Sequence, residues 1–311
     1  MLSPEDYTCW IITEGMAGTE NQCIGVACAL GLEPEIKRVQ LKEPWKTLSP
    51  YLGFEGPWCF TEPLEGPWPD ILLVSGRKAI AAARYIKKAS NGKNFTCFIQ
   101  DPRVSPKNFD LVAVPEHDPT RGNNVITTLA APNKITEDKL DDAREEFPQF
   151  EDFQTPRVAV MIGGNSKSHT LTKAVIERFC EQLKALDCGL MVSTSRRTGE
   201  ENTQMLHEAL KDSGAYIWDG KDPNPYIAML AWAQFIIVTS DSTSMLSDAA
   251  ATGKPVYMVE LEGGGKRLDK MQQNLIKAGI VKVFNGKLES WRYEPLREAE
   301  YIAKAIVTKL K

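Results

Sequence analysis

Residues 235–255 read "FIIVTSDSTSMLSDAAATGKP": an apolar run, small hydroxyl residues around one carboxylate, then a helix-forming stretch. An apolar run without alternation is a strand covered on both faces, as in a parallel sheet. A strand that passes through a polar turn straight into a helix is one half of a βαβ unit. In open parallel sheets, ligands sit beyond the carboxyl ends of the strands, where helix starts present free N–H groups. The polar turn therefore caps a helix or holds a polar ligand. Ser242 or Ser244 can cap. Capping does not call for Asp248, four residues beyond Ser244 and on roughly the same helix face. Asp248 either meets the positive end of the helix dipole or accepts both hydroxyls of a ribose, and residue chemistry leaves these readings level.

The same rhythm runs outward in both directions. Upstream, "CWIITEG", "DILLVSG", "NFTCFIQ", "FDLVAVP" and "NVITTLA" read as strands, with "NQCIGVACALGL" and "RKAIAAARYIKKA" as helices. The segment Trp45–Pro69, rich in Pro, Gly and Trp, is an irregular excursion. Charged, Pro-bearing sequence at Ile135–Pro156 precedes a restart at "RVAVMIGG". The expectation is two Rossmann-like α/β lobes facing a cleft. The N-terminal lobe covers 1–140, a linker 141–156, and the C-terminal lobe 157–311, with the final helix able to pack back on the first lobe.

Composition narrows the function. A net charge of −4 argues against a general nucleic-acid binder. No apolar stretch is long enough to span a bilayer, and the N-terminus lacks the basic start and apolar core of a signal peptide. Seven cysteines with no CxxC pair read as reduced thiols in a reducing, cytoplasmic compartment. With three histidines, a zinc site has little to draw on, and no metal is expected.

Three strand-to-helix turns of the second half carry candidate ligand groups. Gly163 and Gly164 allow close backbone approach to an anion, and Asn165 and Ser166 add donors; a tight turn with Ser168 or Thr170 capping the next helix fits equally well. In "STSRRT" (193–198), Arg196 and Arg197 stand among hydroxyls, a phosphate-like donor set, although one of the two is expected to be solvated. The third turn is the one quoted first.

Taken together, "EGMAGTENQ" (14–22), "SGR" (75–77), "QDPR" (100–103), "PEHD" (115–118), "IGGNSKSH" (162–169), "STSRRT" and "SDSTSMLSDAAATGKPV" (240–256) resemble the elongated-mitochondria family, the mitochondrial fission proteins of plants and their bacterial relatives. That family is similar in turn to the two-lobed B-type glycosyltransferases, near the peptidoglycan N-acetylglucosaminyltransferase. The resemblance implies a nucleotide sugar on the C-terminal lobe. Gly163, Gly164 and Ser166 would lie by the phosphates, and the residue chemistry of the three turns adds Asn165, Ser195, Arg196, Ser242 and Ser244. Asp248 would bind the ribose, where Glu is usual, and Gln272 and Gln273 would touch the sugar. It also implies an acceptor on the N-terminal lobe, beside Gly15, Gly18, Asn21, Gln22, Ser75, Gly76 and Arg77. Related sequences often carry His where this chain has Thr19, so Glu20, Asp101 or His117 would have to serve as base. His117 also reads as a solvated loop residue.

The reading that follows is a metal-independent glycosyltransferase with a nucleoside-diphosphate sugar as substrate, no cofactor, and an acceptor that the sequence does not name. Helix dipole and Arg groups can stabilise the leaving diphosphate. The alternative is a non-catalytic adaptor, or nucleotide-responsive module, that recruits a membrane-remodelling protein partner at a membrane surface. An NAD-type epimerase is disfavoured because "GMAGTEN" is not GxGxxG.

Overall fold

The structure is a computed structural model that describes residues 6–218, 220, 221 and 223–310. The first residues of the segment read above for a leader, 1–5, lie outside the described ones. The chain forms two compact units, one running to Lys134 and resuming at Arg297, the other spanning Ile135–Leu296.

The first unit contains β1 (Cys9–Thr13), α1 (Ala17–Leu30), β2 (Glu35–Arg38), α2 (Trp45–Leu48), β3 (Ile71–Val74) and α3 (Ala79–Ala89). After these come β4 (Phe95–Ile99), β5 (Leu111–Pro115) and β6 (Val125–Thr128). The second unit contains α4 (Glu137–Glu146), β7 (Arg157–Ile162), β8 (His169–Thr170), α5 (Lys173–Lys184), β9 (Gly189–Thr194), α6 (Glu200–Leu210) and β10 (Tyr216–Ile217). It continues with α7 (Tyr226–Trp232), β11 (Phe235–Thr239), α8 (Thr243–Ala250), β12 (Val256–Val259), β13 (Glu262–Gly263), α9 (Lys266–Lys277) and β14 (Val281–Val283). The closing helix, α10 (Glu298–Leu310), belongs to the first unit.

Each unit is built on a six-stranded sheet with every pairing parallel. The first runs β2-β1-β3-β4-β5-β6 and the second β10-β9-β7-β11-β12-β14. Alternate residues feed opposite faces. Trp10, Ile12, Leu72 and Val74 meet Ile80 and Ile86 of α3, while Ile11, Ile71 and Leu73 meet Val26 and Leu30 of α1 and Ile302 and Ile306 of α10. With both faces covered, the strands are apolar throughout, which is why they stand out in the sequence.

The segment 141–156 is not a linker. It holds the second half of α4 and a 3-10 turn, Pro148–Phe150, that pack within the second unit. Its acidic outer face hides an apolar inner one: Ala143, Phe147 and Phe150 are buried. The Trp232 indole N–H donates to the Phe147 carbonyl at 3.0 Å. Thr136 caps α4, accepting from the Lys139 amide at 3.3 Å.

Glu298 ties α10 to its unit, accepting from the Leu129 and Ala130 amides at 2.7 and 3.0 Å. Burial pushes its carboxyl above the ordinary value of 4.5, against the opposing pull of those two amides. A carboxyl raised on folding contributes most below its unfolded value, and that contribution is lost as pH rises through the folded value. Glu298→Gln should therefore gain on the wild type as pH rises from about 4.5 toward neutrality. Glu298→Ala, which strands two amides, should lose about 2 kcal/mol. Urea melts across that range check both; a wild type that gains on Glu298→Gln with rising pH would contradict the assignment.

Candidate functional site

Strand order reverses direction between β7 and β11 in the second unit, the place where open α/β sheets bind ligands. The turns leaving β7 and β11 are Gly163–Ser166 and Ser240–Ser242. At their junction sits Asp241, whose side chain is fully buried. Its Oδ2 accepts from the Gly164 amide at 3.0 Å and pairs with Arg197 Nη1 at 2.7 Å. Its Oδ1 accepts from the Thr239 hydroxyl at 2.7 Å, and that hydroxyl accepts from the Gly163 amide at 2.7 Å. One carboxylate thus joins the turns of three strands, β7, β9 and β11.

The glycines follow from this packing. A Cβ on Gly163 would lie 2.2 Å from the Asp241 carboxylate, and one on Gly164, where φ is +147°, 2.1 Å from the Arg197 carbonyl oxygen. The pair makes room for the protein's own carboxylate and backbone, a different reason from the close anion approach read in the sequence. The amides of this turn are also engaged within the chain: Asn165 N–H goes to the Arg197 carbonyl and Ser166 N–H to the His169 carbonyl, each at 2.9 Å. The Asn165 side chain accepts from the Leu171 amide, and Ser166 Oγ from the His169 amide. Thr172, not Ser168 or Thr170, caps α5.

Other predicted residues fall around this junction in unequal ways. Ser195 donates to the Gly163 carbonyl at 2.9 Å, bracing the β9 turn against the β7 turn. Arg196 is exposed, and it is Arg197, with 39% of its side chain exposed, that reaches the junction. Ser242 caps α8, accepting from the Met245 amide, while Ser244 is exposed on the first turn. The amides of Thr243 and Ser244 open that helix, so they lack intrahelical acceptors. Asp248, further along α8, accepts from the Tyr226 hydroxyl at 3.0 Å, which fixes its orientation. Gln272 donates to the Ser240 carbonyl at 2.6 Å and is buried; Gln273 is exposed.

In the first unit the reversal lies between β1 and β3. Because all six strands are parallel, Gly15–Gln22, Ser75–Arg77, Asp101 and His117 all follow strand ends on one sheet edge. Glu14 crosses the reversal, its Oε1 accepting from the Lys78 amide at 2.9 Å. Gly76, at φ +102°, leaves space for it, since a Cβ there would stand 3.0 Å from that oxygen. Ser75 is buried and donates to the Ile99 carbonyl; Gln22 accepts from the Gln100 side chain. Gly15, Gly18, Asn21 and Arg77 are exposed.

Of the three base candidates, Glu20 is clasped by Arg38 at 2.7 and 2.9 Å. That hydrogen bonding lowers its pKa below the ordinary carboxylate value, so it is a poor base near neutrality. Asp101 Oδ1 accepts from the Arg103 amide and the Thr120 hydroxyl. His117 lies in the turn after β5 and is half-buried.

The family model for mitochondrial fission ELM1 matches residues 17–310. The chain belongs to that family. It is 26% identical to the mitochondrial fission protein ELM1 of Arabidopsis thaliana, over 95% of this chain and 89% of that protein. It is 28% identical to an uncharacterized protein of Rickettsia prowazekii, over 78% and 80% of the two chains. Among solved structures it is similar to the UDP-GlcNAc 2-epimerase of Methanocaldococcus jannaschii, with TM-score 0.58, 13% identity, and coverage of 97% of this chain and 99% of that one. MurG of Acinetobacter baumannii gives TM-score 0.51 at 11% identity, covering 97% and 93%. At these identities the likeness concerns the fold, which is that of the B-type glycosyltransferases: two Rossmann-like α/β units in one chain.

The glycine account has a direct check. Gly163→Ala should cost about 3 kcal/mol by overpacking against Asp241. In an Asp241→Ala background, where the clashing carboxylate is gone, the same substitution should cost much less. A double-mutant cycle by denaturant melts measures the coupling; additive effects would mean that Asp241 is not what the glycine accommodates.

Proposed function

We propose that this member of the ELM1 family is a metal-independent glycosyltransferase that takes a nucleoside-diphosphate sugar at the carboxyl edge of the second unit's sheet. What carries the reading is the fixed position of Arg197: a buried carboxylate holds one guanidinium nitrogen, leaving the rest of a partly exposed cation at the β7/β11 reversal. The start of α8 opens at the same junction. A bound cation and a helix start together favour a diphosphate and the negative charge that grows on it as the sugar departs. Asp248, oriented by Tyr226, is the candidate for the ribose hydroxyls. Gln273, exposed on α9, is a better candidate for the sugar than Gln272, which is engaged with Ser240.

The acceptor would be met by the carboxyl edge of the first unit. With Glu20 held by Arg38, the general base is assigned to Asp101 or His117. In this reading Arg197, and not Arg196, would meet the phosphates.

A second reading, a nucleotide-responsive or adaptor module without turnover, is favoured by two observations. The four amides from Gly163 to Ser166 are engaged within the chain, and Thr19 and a clasped Glu20 stand near the place of an expected base.

Thermal-shift titration with UDP-, GDP-, ADP- and TDP-sugars separates these readings, because a ligand that binds only the folded state raises stability by mass action. One nucleotide class should stabilise the wild type. Arg197→Ala should weaken that binding about ten-fold or more, from loss of a charge-assisted contact, while Arg196→Ala should change it little. Slow release of free nucleoside diphosphate from the stabilising sugar supports the transferase, and binding without any release supports the module. No stabilisation by any of the four would overturn both nucleotide readings.

A further inference from the structure

We propose that the outer edge of β2 binds an extended peptide with basic side chains, which adds to the first sheet as a further strand. The proposal does not depend on the donor-site reading. β2 ends its sheet: β1 lies along one edge, and among the described residues no strand lies along the other. The Val39 amide donates to the Thr13 carbonyl at 2.8 Å, which fixes the residues that face inward. Backbone groups alternate along a strand, so Glu35, Lys37 and Val39 bond to β1 while the N–H and C=O groups of Ile36 and Arg38 point away from it. Among the described residues nothing accepts from either of those two amides.

The chain itself pairs with this edge, but only just beyond β2. Residues 59–61 run antiparallel to residues 40–42 about a Leu41–Phe60 bridge. The Lys42 amide donates to the Cys59 carbonyl at 2.8 Å, and the Thr61 amide to the Gln40 carbonyl at 2.9 Å. After Thr61 the segment leaves the edge. Leu64 turns into the core, and its carbonyl accepts from the Tyr85 hydroxyl at 3.3 Å. What it leaves open beside Ile36 and Arg38 is a groove of about 320 Å³, with Trp10 and Leu64 among its walls. A peptide in that groove continues the line of residues 59–61. One of its residues exchanges both backbone bonds with Arg38, and the next but one does so with Ile36.

Charge selects the occupant. Free lysines on an edge strand commonly block the addition of another strand. Here both cations of β2 are drawn off the edge. Lys37 pairs with Glu35 and lies over the Trp10 ring, 4.6 Å from its centre. Arg38 is held by Glu20 at 2.7 and 2.9 Å. Glu62 and Glu65 line the same groove, are exposed, and have no ion pair among the described residues. Two unmatched carboxylates beside the edge favour lysine or arginine on the incoming strand. Main-chain bonds to Ile36 and Arg38 supply affinity that is indifferent to the rest of its sequence.

Fluorescence anisotropy of the full chain with a labelled hexapeptide of alternating lysine and valine tests the proposal. The wild type should bind it, and should bind the alternating glutamate–valine peptide about ten-fold more weakly. The lysine–valine peptide N-methylated at every amide keeps its charge but cannot donate to the ladder, so it should bind about ten-fold more weakly or worse. Glu62→Lys/Glu65→Lys should lose the preference for lysine over glutamate, with an unchanged melting temperature because both side chains are exposed. In hydrogen exchange, the Ile36 and Arg38 amides should slow about ten-fold or more when the peptide is added. Absence of binding, equal binding of either control peptide, an unchanged preference in the variant, or unchanged exchange at Ile36 and Arg38 would each overturn it. So would a wild-type dimer in sedimentation whose Ile36 and Arg38 amides are protected without peptide, since a second copy would then cover the edge.

Discussion

The buried carboxylate of Asp241 is the constraint on which the second unit's functional edge depends. It is removed from water, so it is tolerable only while its charge is met, here by Arg197, the Gly164 amide and the Thr239 hydroxyl. Removing Arg197 would leave a buried carboxylate without its counter-charge, a cost that the partial exposure of the guanidinium moderates. Three consequences follow from that one group. Gly163 can carry no side chain, the β7 turn is locked to the β11 turn, and a guanidinium is held at the reversal point of the sheet. A stabilising contact and a candidate ligand contact are therefore the same contact.

The first unit solves the corresponding problem in a similar way with a different strand order. There Glu14 leaves the end of β1 and accepts from the Lys78 amide across the reversal, and Gly76 leaves it room. In both units a strand-end acid closes the gap where neighbouring turns diverge, and a glycine on the facing turn allows the approach. Parallel strands force this: their turns emerge side by side on one edge, and at the reversal the following helices go to opposite faces, leaving backbone N–H groups to be satisfied.

Much of the fold was legible in the sequence because the central strands are buried on both faces and so read as unbroken apolar runs. The edges were not. β2, "EIKR", is polar and partly exposed, and β14, "VKV", is short, so neither carries that signal. The segment 141–156 resembles a linker in sequence because its exposed acids outnumber the few buried side chains that dock it. Ser242 as a cap followed from its position before an apolar-periodic stretch. Asp241 and Asp248 lie seven residues apart in one segment, and what distinguishes Asp241, its burial and its reach to another turn, is a tertiary fact that residue types do not carry. The choice between Arg196 and Arg197 is of the same kind: adjacent residues leave a strand end in different directions, and only the fold says which meets the carboxylate.

The most direct measurement is titration calorimetry of the stabilising nucleotide sugar on wild type and Asp241→Asn. Asparagine can still accept a hydrogen bond but cannot anchor a guanidinium by charge. If Asp241 positions Arg197 for a diphosphate, the variant should remain folded and bind about ten-fold more weakly or worse. Equal affinity in a folded variant, or a wild type that binds no nucleotide sugar, would contradict the account and leave Asp241 as a joint between turns alone.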